Sequence, residues 1–412
     1  MRGIVVFSWK GGGLWEKKRT FAAMKRMIWM LWGLIMAMTA CGQTYKYKVN
    51  FNVSESDFCD TIPIVVEEGR LILIVEMEGR QRRLLLDTGA GQGVVYRDGS
   101  IRGERELGNV VVADGNNRRD TVQVVTMPSF RMGRLVISDY VATLMPRPIG
   151  NRRIDGIVGF DLFNKGLSAK IDLQSKTLIL TDRRKLFDNE SGYEVRYKVY
   201  WFVPYVMVSP FIRHTDQVLF DTGSTSLFTM NKESFDRHVY KSQQVAAQVE
   251  ARTEGSHSIG LLGAEQHDEI VLLHMDRLDW GGFAFTDLRA ITTQGASRIG
   301  TQLLQYGSVV INPWKKRIKF QPFNGTDTVS VGNRVPNVSF VPIGGRPAVG
   351  LIWPTCDAYR LGMRQGDVIL SIDDKPMRTF EDFVLFHFVK GQQHRYRLRD
   401  REGNIKEIAI ER

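Results

Sequence analysis

Two heptapeptides decide the reading of this chain: Leu84-Leu85-Leu86-Asp87-Thr88-Gly89-Ala90 and Val218-Leu219-Phe220-Asp221-Thr222-Gly223-Ser224. Each is an apolar strand-like run that ends in Asp-Thr-Gly. An unpaired carboxylate at the end of a buried strand costs several kcal/mol unless a partner compensates it. The Thr-Gly that follows predicts a tight turn presenting each carboxylate at the floor of a cleft. A lone Asp-Thr-Gly has an ordinary explanation, since Asp and Gly favour turns for backbone reasons. Two copies in matched contexts point to one site with two carboxylates.

Around Asp87 the chain reads as short strands. Ile62-Pro63-Ile64-Val65-Val66, Leu71-Ile72-Leu73-Ile74-Val75 and Leu84-Leu85-Leu86 come first, with a turn at Glu78-Gly79-Arg80-Gln81 between the last two. Val110-Val111-Val112 and Thr121-Val122-Gln123-Val124-Val125 flank Ala113-Asp114-Gly115-Asn116-Asn117, whose Asp-Gly predicts a projecting hairpin. Leu135-Val136-Ile137, Ile154-Asp155-Gly156-Ile157-Val158-Gly159, Ala169–Leu173 and Leu178–Leu180 complete an all-β lobe over residues 50–190, with Asp161-Leu162-Phe163 opening a short helix. A second lobe over 195–322 repeats the order, from Val203–Val208 and Asp221 to Ile299-Gly300 and Val309–Ile311. The interval from Asp to the later Gly is 72 residues in the first copy (87 to 159) and 79 in the second (221 to 300), which marks an internal duplication. In the second copy Arg298 stands where Ile157 stands in the first, which weakens that repeat. Residues 231–252 have no first-lobe counterpart. Phe235, Val239, Val245 and Val249 recur there at roughly helical spacing and predict a surface helix. Ser256–Gly263 is a Gly-rich second hairpin candidate over the cleft.

With these residues in view, the chain resembles the retropepsin and pepsin-like aspartic proteases. The resemblance implies a mainly β fold of two pepsin-like or retropepsin-like β-barrel lobes forming one cleft, in which a single chain supplies both carboxylates and acts as a monomer. It implies catalytic roles for Asp87 and Asp221. Thr88 and Thr222 would hydrogen-bond across to the opposite loop, and Gly89 and Gly223 would let the backbones approach. Ala90, Ser224, Ile157, Val158, Gly159, Ile299 and Gly300 would support the loops. Because Ser224 can donate to a carboxylate and Ala90 cannot, Asp221 is expected to be the more readily ionised member. The chemistry implied is peptide-bond hydrolysis by an activated water, with no cofactor and no metal. The paired loops are also compatible with a peptide-binding protein that does not cut, and with an envelope scaffold whose lobes only pack.

Past a linker at Asn324–Asn333, residues 330–412 resemble a PDZ domain: Ala358–Lys375 carries a helix, a Gly362-x-x-x-Gly366-Asp367 turn and a strand, and Thr379–Phe388 a second helix. The resemblance implies a peptide or protein ligand. Val338, Ser339 and Phe340 fall at the peptide-carboxylate loop, which lacks the usual glycines there.

The net charge of +11 does not indicate nucleic acid, because residues 1–40 hold seven Lys or Arg against the single acid Glu16 and the remaining charges are interspersed. Lys25-Arg26, the apolar run Met27–Ala40 and Cys41-Gly42 resemble a bacterial lipoprotein signal, too short to span a bilayer. This implies lipidation at Cys41, membrane association through that anchor and an envelope location, while a plain signal peptide or uncleaved anchor stays open. Residues 24–41 are a complete signal without what precedes them. Cys59 and Cys356 either pair or stay free. The seven His are scattered and no Cys-x-x-Cys occurs, so no metal site is indicated.

Overall fold

The computed structural model describes residues 44–116, 118–148, 153–260, 262–389 and 391–411. Cys41 and the signal segment lie outside the described residues, as do Asn117 and Leu261. No described helix is long and apolar enough to cross a membrane. The lobes and the C-terminal module belong to one compact unit, Tyr47–Arg412.

The three consecutive leucines before Asp87 are all buried because their strand is covered on both faces, Leu84 and Leu86 by the main core and Leu85 by a second cluster with Ile72 and Ile157. Strand Arg80–Leu86 lies antiparallel to Arg70–Met77 and, at its inner end, parallel to Gly156–Val158, with Leu85 opposite both Ile72 and Ile157. His214–Phe220 repeats this arrangement between Val203–Phe211 and Arg298–Ile299, with Leu219 opposite Tyr205 and Arg298. In both copies a non-adjacent stretch threads beside the Asp strand in parallel, and that is why the two intervals are similar. The fold class expected for the lobes is present: mainly β, two lobes, one cleft.

The lobes are joined by a six-stranded antiparallel sheet in the order Cys59–Glu67, Thr177–Thr181, Ser168–Asp172, Gly307–Asn312, Arg317–Pro322 and Tyr193–Tyr200, three strands from each lobe. Its central pairing, Ala169 opposite Ile311, crosses between them. One apolar cluster runs through both lobes, including Phe160, Phe163, Tyr197, Phe220, Trp280 and Phe320.

Residues 338–411 form a separate sheet in the order Val338–Ile343, Arg346–Ile352, Val368–Ile372, Gln393–Arg399 and Ile405–Glu411, with its own core around Val349, Met363, Phe383 and Tyr396. Its opposite face docks on the second lobe, where Leu351 and Trp353 pack with Ile270 and Leu272. Ser256 N–H donates to Gly350 O (2.9 Å), and Thr253 Oγ1 donates to Ile352 O (3.1 Å).

Four sequence expectations change. The insert is a helix only over Lys232–Lys241, capped by Asn231 Oδ1 accepting from Ser234 N–H (2.9 Å), followed by one turn at Gln243–Ala246. Val249 begins strand Val249–Gly255, whose alternating burial has period 2. Val338, Ser339 and Phe340 are not a loop: they open the edge strand Val338–Ile343, opposite Ile352, Leu351 and Val349. The helix expected to reach Phe388 stops at Val384, and Phe386 and Phe388 reach the core from the following turn, against His394. Part of the expected linker, Thr328–Ser330, pairs with Phe283–Thr293 of the second lobe. Cys59 and Cys356 are free.

Trp353 is 2% exposed, and its Nε1–H donates to Pro336 O (3.2 Å). Trp353→Ala is therefore expected to lose about 3–5 kcal/mol of stability. Hydrogen exchange should show lost protection at Ser256 and Ile352 before the lobe cores open.

Candidate active site

Asp87 and Asp221 end the two threaded strands and meet at the lobe boundary. Each main chain is pinned by its threading strand: Asp87 N–H donates to Val158 O (3.0 Å), and Asp221 N–H donates to Ile299 O (2.9 Å). Each loop folds back on its own carboxylate, with Gly89 N–H donating to Asp87 Oδ1 (2.8 Å) and Gly223 N–H to Asp221 Oδ1 (2.9 Å). The glycines are required by close approach. A Cβ on Gly89 would lie 2.4 Å from Asp221 Oδ1, and one on Gly223 would lie 2.6 Å from the Asp87 carboxylate.

The two threonines are buried and lock the loops to each other. Thr88 N–H donates to Thr222 Oγ1 (2.9 Å), and Thr222 N–H donates to Thr88 Oγ1 (2.9 Å). Each hydroxyl then donates to a carbonyl of the opposite strand, Thr88 Oγ1 to Phe220 O (2.6 Å) and Thr222 Oγ1 to Leu86 O (2.7 Å). Every hydroxyl therefore accepts once and donates once, and no buried group in this ring of four bonds is left unpaired.

The supporting residues fall into the same two-fold scheme. Ile157, Val158 and Ile299 are buried beside the Asp strands. Ala90 O accepts from Phe160 N–H (2.7 Å), and Ser224 O accepts from Thr301 N–H (2.8 Å). Gly159 and Gly300 sit against these loops so closely that a Cβ would come within 2.6 Å of Ala90 O or 2.3 Å of Ser224 O.

Burial first, and then the neighbouring Asp221, push the Asp87 carboxyl up to about 8. The two side chains are in hydrogen-bonding contact, so the pair keeps one proton between them at neutral pH. The expected contribution of Ser224 is not present: among the described residues its hydroxyl makes no hydrogen bond to Asp221, and only its N–H bonds back, to Asp221 O (3.1 Å). The raised Asp87 carboxyl is accounted for by burial and by the neighbouring Asp221.

Sequence reasoning missed a buried pair beneath the first loop. Tyr140 donates its hydroxyl to Asp161, and Gly159 N–H donates to the Tyr140 oxygen (3.1 Å). Burial pushes Asp161 up to about 7 and Tyr140 well above its ordinary range. The second lobe uses a neutral group at the matching place, Gln302 Oε1, which accepts from Leu227 N–H (3.1 Å). The available signal was an acid within the apolar run Ile157–Phe163.

A roof crosses the cleft. The first-lobe hairpin, Glu106–Ala113 with Arg119–Thr126, reaches the second lobe through its turn. Arg298 Nη2 donates to Gly115 O (2.7 Å), Leu262 N–H to Asp114 Oδ2 (3.0 Å) and Ser258 Oγ to Asn116 Oδ1 (3.1 Å). Opposite stands a small hairpin, Ile259–Gly260 with Gly263–Ala264. It is braced by Glu265, which accepts from Thr293 Oγ1 (2.6 Å) and Gln294 N–H (2.9 Å) and lies 2.8 Å from His257 Nδ1. Although burial opposes it, this set of donors holds Glu265 down to about 2. An open cavity of about 800 Å³ lies beside this bridge between Arg118, Asp120, Gln266 and Asp268, not over the dyad. Among the described residues no group of His, Cys, Asp and Glu has a metal-holding arrangement.

Thr88→Val preserves shape but leaves Thr222 N–H and Phe220 O buried without a partner. It is expected to cost about 1–3 kcal/mol per orphaned group in denaturant unfolding. The raised Asp87 carboxyl gives a second expectation. Its stabilising contribution is complete below its ordinary 3.8 and is lost as pH rises toward about 8. Asp87→Asn should therefore gain stability relative to the unsubstituted chain between about pH 4 and about pH 9, read as a divergence of the two Tm curves.

No family model and no curated protein matches the chain. Solved structures similar to it include an aspartic proteinase from Irpex lacteus, at 14% identity and TM-score 0.41, covering 64% of this chain and 97% of that one. Basic 7S globulin from soybean is similar at 10% identity and TM-score 0.39 over 64% of this chain and 94% of its own. Conglutin gamma from lupine seeds is similar at 10% identity and TM-score 0.39 over 65% of this chain and 95% of its own.

Proposed function

We propose that the chain is an aspartic endopeptidase that hydrolyses peptide bonds with a water activated between Asp87 and Asp221. The observation that carries this reading is the pair of carboxylates in hydrogen-bonding contact, clamped by the reciprocal Thr88 and Thr222 bonds, with one proton retained on Asp87. Asp221 accepts a proton from the water as its oxygen attacks the scissile carbonyl carbon. Asp87 gives its proton to the carbonyl oxygen, which yields a neutral tetrahedral diol. Collapse of the diol breaks the C–N bond, the nitrogen takes the proton held by Asp221, and the diol hydroxyl returns one to Asp87. The dyad ends as it began.

The C-terminal sheet is assigned in the same proposal to a PDZ-like module, whose edge strand Val338–Ile343 would take an extended peptide as an additional strand. Lipidation at Cys41 and an envelope location are further parts of the proposal and rest on the sequence alone. A second reading, a peptide-binding protein that does not cut, is favoured by one observation: the hairpin turn is bonded down onto the second lobe through Asp114, Gly115 and Asn116.

The test is cleavage of an unfolded protein by the purified chain, with and without pepstatin. Asp87→Asn and Asp221→Asn are each expected to lower the rate by about 10²–10⁴-fold or more. Activity should persist to neutral pH and fall as pH rises through about 8, where the dyad gives up its proton. Activity surviving in both variants removes the endopeptidase reading, and binding of unfolded protein without cleavage by the unsubstituted chain selects the second one.

A further inference from the structure

The dyad is nearly symmetric, but the side chains flanking its two halves are not. In the first lobe Ile72, Leu85 and Ile157 are register partners across three adjacent strands. They are 1%, 7% and 2% exposed and belong to one apolar cluster with Tyr96 and Val122. The equivalent row in the second lobe is Tyr205, Leu219 and Arg298. The central aliphatic residue is kept, but a phenol and a guanidinium stand on either side of it, both half-buried.

Arg298 does not disrupt the strand that carries it. It pairs with Leu219 and Thr229, and Ile299 and Gly300 hold the Asp221 loop just as Val158 and Gly159 hold the other. Its side-chain hydrogen bonds among the described residues end on carbonyl oxygens, Gly115 O (2.7 Å) and Ala296 O (3.4 Å), and no carboxylate pairs with it there. A half-buried guanidinium that meets only neutral acceptors keeps its charge uncompensated, so an incoming carboxylate gains both the opposite charge and a bidentate pair that a carbonyl cannot give. Tyr205 and Arg298 flank Leu219 in register on the two neighbouring strands, two residues before Asp221, and the Tyr205 hydroxyl feels the charges of both Arg298 and Asp221.

We propose that Tyr205, Leu219 and Arg298 form a subsite for an acidic side chain of the substrate, making this chain selective for polypeptides with Asp or Glu beside the scissile bond. The inference rests on the reading of the cleft as a peptide site and adds the substrate class. Arg298 supplies two parallel N–H donors to the incoming carboxylate, Tyr205 supplies a hydroxyl donor, and Leu219 packs on the methylene stem. The same exchange loosens the roof: as Arg298 Nη2 turns to the carboxylate, Gly115 O loses its donor, and the hairpin tip keeps its bonds through Asp114 and Asn116. An acidic residue is in this way both selected and used to weaken the hold on the hairpin above it. The Arg298→Lys change would leave a single point-like pair, and Arg298→Leu would leave none.

The experiment uses the full chain and matched quenched peptides that differ only by Glu or Gln at each position flanking the scissile bond. At one position, on the side held by the second lobe, Glu is expected to raise kcat/KM about tenfold or more over Gln. Arg298→Leu should bring that ratio to about one, whatever the absolute rate, Arg298→Lys should restore part of it, and Arg298→Glu should favour Lys over Gln. A ratio near one in the unsubstituted chain, or a ratio that Arg298→Leu leaves unchanged, overturns the proposal and leaves Arg298 as a tie to the hairpin. If nothing is cleaved, the endopeptidase reading fails by itself, and the same peptides are measured for binding by fluorescence anisotropy. A Glu-over-Gln preference abolished by Arg298→Leu then supports the subsite in a non-cutting protein, and equal affinities overturn it.

Discussion

Two carboxylates in hydrogen-bonding contact inside a protein cannot both be charged, and most of this structure follows from keeping them in that contact. Repulsion in a water-poor site would drive the loops apart if each were carried only by its own lobe. The Thr88 and Thr222 ring removes that freedom, because separating the lobes would leave two amides and two carbonyls unpaired in the interior. Behind the ring, the pairing of Ala169 with Ile311 across the joining sheet makes the two lobes one mechanical body. The proton on Asp87 is thus a consequence of architecture: burial raises it, and the clamp prevents the relief that movement would give.

The duplication is faithful where the backbone does the work and diverges in the side chains around it. The main-chain bonds of Asp87 and Asp221, of Ala90 and Ser224, and of Gly89 and Gly223 match bond for bond. Around them the copies separate. A buried acid and phenol, Asp161 and Tyr140, brace the first loop, where Gln302 serves the second. An aliphatic row crosses the strand that carries Asp87, and a row with Tyr205 and Arg298 crosses the strand that carries Asp221. On the proposed function, a peptide lying across this two-fold floor has a direction, so the walls have no reason to match.

The floor was legible in sequence because it is made by local rules. An apolar strand, an Asp-Thr-Gly turn and a later apolar-Gly strand each leave a signature, and parallel threading forces their spacing to repeat at 72 and 79 residues. What failed depends on register or on distant partners. Arg298 looked like a defect until its pairing with Leu219 showed that the strand is intact and its side chain is turned to the hairpin. Asp161 gave no sign of its partner Tyr140, 21 residues away. Val249 fits a helical spacing from Phe235 and equally an alternating strand, and the antiparallel neighbour Asp268–Trp280 decides for the strand. Val338 to Phe340 were assigned by analogy of position, and strand pairing overrode it. A Ser after Asp-Thr-Gly states that a hydroxyl is present, not where it points.

The roof divides into a part that can move and a part that cannot. The second-lobe side is anchored twice: Glu265 is 4% exposed and fully engaged by His257, Thr293 and Gln294, and Ser256 is bonded to Gly350 of the C-terminal sheet. Lifting it would strand a buried carboxylate and pull Leu351 and Trp353 from Ile270 and Leu272. The first-lobe hairpin is held at its tip by a few partly exposed hydrogen bonds, each worth about 0.5–1.5 kcal/mol net. Opening therefore runs through the hairpin, against a second lobe that the C-terminal sheet keeps fixed. The C-terminal contacts at Thr253, Ser256 and His267 all fall on the stretch that carries that fixed side. The C-terminal sheet thus sets the height of the surface against which the hairpin closes, although it lies outside both lobes and contributes nothing to the dyad itself.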